Sequence, residues 1–407
     1  MLNPDEVSRL IKQLSEATDQ SKLAYEHGFR IASVVIGQQH ANETLYEEHP
    51  NNLSAPMRRP DFVLGTPIDS SCLSGVDERQ FSQPPHSVYR YTNARVAGWR
   101  TVISAEGELF CGWPISTQAD FERLQKIARS GFEGCVPLSL GGQTTLVFRC
   151  APRDLHIAGT GLFLGMLEPS NYGSFLFRGL PQMLLVGELP LDIQFIIVGE
   201  RTPWAIEALA ALGFENIPTY SVREVYGCVF EQLIVISEID NEGFFDEISL
   251  QRLRRFAARC ATRAPVDRER GKIYVSRALS VARAPSYRVL VNESEIEDTA
   301  RSCGYRVVYP EVGRFAEQCV TFLDATSIMG PSGSGMLNAV FAPHGVSAVD
   351  LEVFHYTVRQ HAKVYSSTGK AYGFIFGNSL TNDPLRRAFG PWRLDPALVY
   401  QAVDLIA

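Results

Sequence analysis

The sequence predicts an α/β protein of two domains, the second of them Rossmann-like, and three observations carry that expectation. Its 407 residues exceed what one hydrophobic core usually supports. The segment DIQFIIVGERTPWAIEALAALGF, residues 192 to 214, is a continuous apolar run, a polar turn and then apolar residues at helical spacing. That is the pattern of a buried parallel strand feeding a helix. From residue 271 onward strand-like and helix-like stretches alternate regularly, which implies a parallel sheet covered on both faces.

Taken in order, residues 4 to 36 read as helical, and QQHANETLYEEHPNNLSAPMRRP after them lacks periodicity, so residues 1–60 are expected to form a helical appendage. Between 85 and 113, HSVYRYTNARVAGWRTVISAEGELFCGW alternates β-branched and aromatic residues with turn signals, the mark of short entry hairpins. EQLIVISEI supplies a further strand, NEGFFDEISLQRLRRFAARCATRA a helix with a basic face, and APVDRERGK a linker. Beyond it come KIYVSR (strand), ESEIEDTARSCGY (helix), RVVYPE (strand), FAEQCVTFLDA (helix), TSIMG (strand), GMLNAVFAPHG (helical at first) and SAVDLEV (strand). DPALVYQAVDLIA closes the chain as an amphipathic helix. The expected domains are therefore 61–268 and 269–385, followed by a C-terminal helix at 386–407.

Hydrophobic residues at 45% suffice for two cores, and a net charge of -7 argues against wrapping nucleic acid, which usually needs a basic domain. The eight cysteines, at 72, 111, 135, 150, 228, 260, 303 and 319, form no CxxC pair and mostly sit among apolar neighbours, as buried thiols of a reducing compartment do. No signal-peptide pattern and no membrane-length apolar run is visible. The expected location is cytoplasmic, peripheral to the inner membrane through partners, and residues 1–40 offer a helical element for homo-oligomers or an assembly complex.

The strongest local signal is TSIMGPSGSGMLNAVF, an apolar strand running into Gly330, Gly333 and Gly335 and then a helix. Glycines at such a turn let backbone N–H groups approach an anion. It is neither a Walker loop nor GxGxxG, and a ligand-free tight turn is the alternative. KIYVSR places Lys272 and Arg277 at the two ends of a strand, Arg277 at the carboxyl end where open α/β sheets bind ligands. A surface salt bridge is the alternative for Arg277. Asp350, at the end of SAVDL, suits ribose hydroxyls or a structural hydrogen bond.

The stretch from GKIYVSR to SAVDLE resembles the catalytic segment of glycosyltransferase family 61, also described as capsular polysaccharide biosynthesis proteins. The resemblance rests on YxSR, a later arginine followed by NE, EQ, G-P-x-G-x-G-x-x-N, and FxPxG followed by an acid. LEPSNYGSFLFRGLPQML, residues 167 to 184, is similar to the family's NYxHxxxxxLP motif. The resemblance implies two facing Rossmann-like domains of GT-B type, 61–268 for the acceptor and 269–385 for a nucleotide-sugar donor. It implies inverting transfer without a cofactor, to a cell-surface or exopolysaccharide-type glycan of bacteria. Carried over residue by residue, it covers Arg277, Arg288, Asn292, Glu293, Glu317, Gln318, Gly333, Gly335, Asn338 and Asp350. Lys272, Arg277, Ser332, Gly333, Ser334, Gly335, Asn338 and Asp350 are then the donor-binding candidates. Asn171, Tyr172, Ser174 and Arg178 are those for the acceptor.

Three positions depart from the family pattern: Ser332 and Ser174 stand where members usually carry histidine, and Arg178 stands where an acid is common. A serine cannot alone deprotonate an attacking hydroxyl. Glu168 and Glu317 join Arg277 and Arg178 as catalytic candidates, with Glu168 either a replacement base or a generic surface glutamate and Arg178 an anchor for an anionic group. The same departures fit a non-catalytic nucleotide- or glycan-binding relative acting as a scaffold in polysaccharide assembly. His344, His355 and His361 lie near Glu352, but the spacing is not that of a helical zinc pair, and no metal site is expected.

Overall fold

The computed structural model describes residues 9, 12–14, 16–17, 19–36, 42–50, 57–66, 73, 76, 84–128, 135–140, 143–149, 155–239, 243–263, 269–279, 287–353, 358–381, 383 and 389–406. The chain forms two compact units: Met1–His49 with Pro85–Ile239, and Pro50–Pro84 with Asp240–Ala407.

The first unit carries a mixed sheet. Its parallel part runs Thr219–Ser221, Phe195–Val198, His156–Leu164, Val229–Ile236. In chain order these four strands lie 3-2-1-4, so the order reverses between His156–Leu164 and Val229–Ile236. On the far side of Val229–Ile236 the long strand His86–Val96 pairs antiparallel, then Thr101–Ile103 and Leu109–Cys111. These are the entry hairpins expected from the alternating pattern at 85–113. Phe110, Phe163, Ile197, Phe230, Leu233 and Val235 are among the residues of its core.

The second unit is a parallel sheet in the order Tyr305–Val308, Gly271–Val275, Ala325–Pro331, Ser347–Glu352, Tyr372–Phe376, Phe62–Leu64. Its first five strands lie 2-1-3-4-5 in chain order, so the reversal falls between Gly271–Val275 and Ala325–Pro331. Tyr274, Met329, Val349, Leu351 and Ile375 interleave in its core with Trp392 and with Val399 and Ala402 of the final helix, Pro396–Ile406.

The first sixty residues differ from the helical reading. A helix, Gln20–Glu26, gives way at Gly28 (φ 75°) to a strand, Phe29–Ser33. A left-handed glycine just past a helix is a common stop. Phe29–Ser33 pairs with Gln143–Arg149, and Asn42–Glu48 with His86–Val96. NETLYEE reads as polar until paired, because half of a one-sided antiparallel strand faces water. The helix Val358–Ser367 and the strand Tyr372–Phe376 were not anticipated either.

Lys370 just precedes that last strand and is fully buried, with Nζ donating to the carbonyls of Ala342 (3.4 Å) and Pro343 (3.0 Å). Burial, then the charge of Arg254, pulls its ammonium down from 10.5 to about 7. The folded chain therefore binds fewer protons here than the unfolded chain between those values, so stability rises with pH across that window. Urea unfolding at pH 7, 8 and 9 should show Lys370 contributing up to about 1.4 kcal/mol per pH unit, and Lys370→Met should remove that share of the slope.

Candidate functional site

In open α/β sheets ligands bind beyond the carboxyl ends of the strands, at the point where strand order reverses. Each unit places a polar cluster at its own reversal point.

In the second unit, Ser276 and Arg277 leave the strand Gly271–Val275, and residues 332–335 leave Ala325–Pro331. The two strands lie so close that a Cβ on Gly330 would stand 2.4 Å from the Val275 carbonyl oxygen. Arg277 Nη1 donates to the Ser332 carbonyl (2.9 Å), and a Cβ on Gly333 would touch the guanidinium at 3.3 Å. The half-buried guanidinium lies 6.0 Å from the ring centre of Tyr287, and its pKa is lowered, by burial first and then by Arg288. The Arg277 backbone N–H donates to Glu293 Oε1 (2.5 Å). Ser276 Oγ reaches Glu293 Oε1 (3.2 Å) and Glu297 Oε1 (2.7 Å). Burial pushes the Glu293 carboxyl up, against the pull of the Arg277 N–H. Ser332 Oγ and Tyr274 Oη are buried without a hydrogen-bond partner among the described residues.

The glycine turn does not enter a regular helix. A six-residue 3₁₀ helix, Met336–Phe341, follows. The Met336 and Leu337 N–H groups are taken by Gly333 O (3.0 Å) and Ser334 O (3.2 Å), and the Ser332 N–H by Leu351 O (2.9 Å). A helix dipole therefore contributes little, and Arg277 carries the positive charge at this point.

Several other sequence candidates hold the frame. Arg288, in a left-handed conformation (φ 52°), donates from Nη2 to both oxygens of Glu352 (2.8 and 2.8 Å), and both residues are buried. Asn292 brackets Leu394, donating to its carbonyl (2.8 Å) and accepting its N–H (3.2 Å). Glu317 Oε2 accepts the Arg314 N–H (2.9 Å) at the start of the helix Phe315–Leu323. Asn338 donates to Gln318 Oε1 (3.3 Å) and Gly335 O (3.1 Å), tying that helix to the turn. Asp350 is fully buried, one oxygen 2.6 Å from His361 Nδ1 and the other accepting from Tyr365 Oη (2.8 Å). Lys272 is not brought to Arg277: it lies at the amino end of the strand, over the Tyr305 ring at 5.5 Å. His355 lies outside the described residues.

In the first unit, Glu168 and Glu238 follow the two strands that flank the reversal. Glu168 takes a left-handed turn (φ 48°), and its carbonyl accepts the Asn171 N–H (2.8 Å). Asn171 Oδ1 then caps the next segment, accepting from the N–H groups of Gly173 (2.8 Å) and Ser174 (3.3 Å). That segment is helical throughout: Tyr172–Ser174, a π-turn at Phe175–Gly179, then Leu180–Val186. Such wide turns are frequent at functional sites. Ser174 Oγ donates to Glu168 Oε2 (3.1 Å) and accepts from Arg178 Nη1 (2.9 Å). Arg178 Nε also stands 3.8 Å from Glu238 Oε1, which Arg100 engages from the other side. Tyr172 packs edge-on against Trp204 at 5.4 Å.

Glu168, Asn171, Ser174 and Arg178, singled out separately in the sequence, thus form one hydrogen-bonded chain. Arg100 and Glu238 were missed. The signal for Glu238 was present, an acid at the carboxyl end of the buried strand read from EQLIVISEI. Arg100 follows a short turn in AGWRT that carries no chemical pattern.

Residues 172–349 match the family model Glycosyltransferase 61, so this segment carries that family's signature and implies glycosyltransferase chemistry with a sugar donor and a sugar acceptor. The match starts at Tyr172 and runs through Arg277 and the glycine turn, leaving Glu168 and Asp350 just outside. No curated protein matches the chain. No described helix is long and apolar enough to cross a membrane.

The two arginines of the second unit should separate in denaturant titrations. Arg288→Ala strands the buried Glu352 carboxylate and should cost about 3–5 kcal/mol of stability. Arg277→Ala loses one charged hydrogen bond at a half-exposed site and should cost at most about 2 kcal/mol.

Proposed function

We propose that the chain transfers a sugar from a nucleotide-diphosphate donor to a cell-surface or exopolysaccharide-type glycan, with inversion, as a GT-B-type enzyme of the cytoplasm. The observation that carries this reading is Arg277, its guanidinium against Gly333 at the reversal point of a parallel sheet. Arg277 and residues 332–335 hold the donor diphosphate and neutralise it as it leaves. The first unit takes the acceptor, with Glu168 as general base held by Ser174 and Asn171, and Arg178 beside it.

In the step itself, the acceptor oxygen bonds to the anomeric carbon as the bond to the diphosphate oxygen breaks. The nucleoside diphosphate leaves with the electron pair, and the acceptor proton passes to the Glu168 carboxylate. A histidine is not required for this. A carboxylate oriented by two side chains supplies the basic oxygen, and Ser174 works as its holder.

A second reading, a non-catalytic nucleotide- or glycan-binding scaffold of polysaccharide assembly, is favoured by one observation. Ser332, where family members usually have histidine, leaves its buried hydroxyl unpaired among the described residues. Slow hydrolysis of donor sugar to water separates the two readings, since a scaffold leaks none.

Thermal-shift measurements with UDP, GDP, CDP, CMP and TDP, with and without divalent metal, should single out one nucleotide. At a hundredfold excess over Kd it should stabilise the wild type by roughly 2.7 kcal/mol, and Arg277→Ala should abolish the shift. No shift with any nucleotide would sink the transferase reading. Glu168→Gln should lower kcat by about 10²–10⁴-fold while leaving the nucleotide shift intact. A loss in KM alone would make Glu168 a binding residue.

A further inference from the structure

The first unit contains a cleft of about 520 Å³ that takes no part in the reversal-point cluster. Its polar lining comes from Arg30 and Ser33 on the strand Phe29–Ser33, Asn93 and Arg95 on His86–Val96, Ser104 on the turn after Thr101–Ile103, and His156. Arg95, Val229 and His156 are direct cross-strand neighbours, Val229 pairing with Arg95 on one side and His156 on the other. Because His156 and Val229 begin their strands, the cleft opens at the amino-end edge of the sheet. The Glu168 cluster follows the other end, roughly 26 Å away along the nine-residue strand His156–Leu164.

The walls are preformed. Ser104 Oγ accepts the N–H groups of Glu106 (3.2 Å) and Glu108 (3.1 Å), and the Gly107 N–H closes the turn onto Ser104 O (3.1 Å). Gly107 (φ 88°) lets this turn sit on the strand Phe29–Ser33, since a Cβ there would stand 2.7 Å from Ser33 O. Arg95 Nη1 is anchored on the Gly227 carbonyl (2.6 Å). Asn93 holds a left-handed conformation (φ 49°).

The volume is that of a small-molecule site, not of an ion or a single water. Two arginines and a histidine line it against one acid, the exposed Glu106, although the whole chain carries a net charge of -7. Serine and asparagine side chains complete the lining, which suits a ligand with both hydroxyls and an anionic group. We propose that this cleft binds an acidic saccharide unit of the acceptor glycan, gripping its carboxylate or phosphate with Arg30, Arg95 and His156. The inference rests on the glycan-transfer reading for the ligand's identity. It makes the first unit a two-point holder of a polymer, with one point at the reacting end and one at the opposite edge of the same sheet.

Equilibrium binding without donor tests it, by calorimetry at low salt with tetragalacturonate, glucose 1-phosphate and neutral maltotetraose. At least one anionic probe should bind at least tenfold more tightly than maltotetraose, and which of them does so tells whether carboxylate or phosphate is the group read. Arg30→Gln with His156→Gln should weaken that binding at least tenfold, with melting temperature and the nucleotide thermal shift unchanged. Glu106→Gln, at the exposed rim, should tighten it and guards against a double variant that fails to fold. Equal binding of the neutral probe, no binding of either anion, or indifference to these substitutions overturns the proposal. The nucleotide shift is read separately, so loss of the transferase reading cannot be mistaken for loss of the cleft.

Discussion

Gly330 and Val275 meet across adjacent parallel strands, so closely that a side chain on Gly330 has no room beside the Val275 carbonyl oxygen. That contact fixes the register of Ala325–Pro331 on Gly271–Val275 and sets where both strands end. Because parallel strands share one direction, the residues after them emerge on one edge. Arg277 and residues 332–333 follow the two strands onto that edge, where Arg277 Nη1 donates to the Ser332 carbonyl. The same constraint acts on Glu293, whose carboxylate reaches back from the start of the helix Glu293–Ser302 to hold the Arg277 N–H. Loosening one crossing would loosen all of these contacts together.

The motif positions in the second unit divide by burial. Arg288, Asn292, Asn338 and Asp350 are buried, and the partners described for each are residues of their own unit. A buried charge or amide must be matched in this way or carry a large desolvation cost. Arg277 keeps part of its surface in water while held at both its backbone and its guanidinium. An arginine so placed can meet an incoming anion without first breaking a buried pair.

The strand and helix alternation after residue 271 was legible because parallel strands buried on both faces read as apolar runs that only a helix can connect. KIYVSR, RVVYPE, TSIMG and SAVDLEV all appear as strands, with ends within three residues of those read. The entry at residues 20–48 was not legible. FRIAS and NETLYEE acquire a strand's partners only from segments distant in the chain, Gln143–Arg149 and His86–Val96. At the sites, a strand end named Arg277, and the resemblance to the NYxHxxxxxLP motif named Ser174 and Arg178 with Glu168 just upstream, whereas most of the frame around them was hidden. Nothing in the spacing of Asp350 and His361 shows that they meet, and nothing in the spacing of Lys272 and Arg277 shows that only one of them reaches the turn.

The π-turn at Phe175–Gly179 separates two helical stretches with different duties. Met183, Leu184 and Leu185 after the turn lie in the interior, while Ser174 before it and Arg178 within it belong to the polar cluster. A wide turn breaks the fixed angular phase that a regular helix would impose between them. Packing on one stretch and chemistry on the other can then drift separately over generations. Ser174 reaches Glu168 from the start of this joint without drawing on the apolar packing of Leu180–Val186.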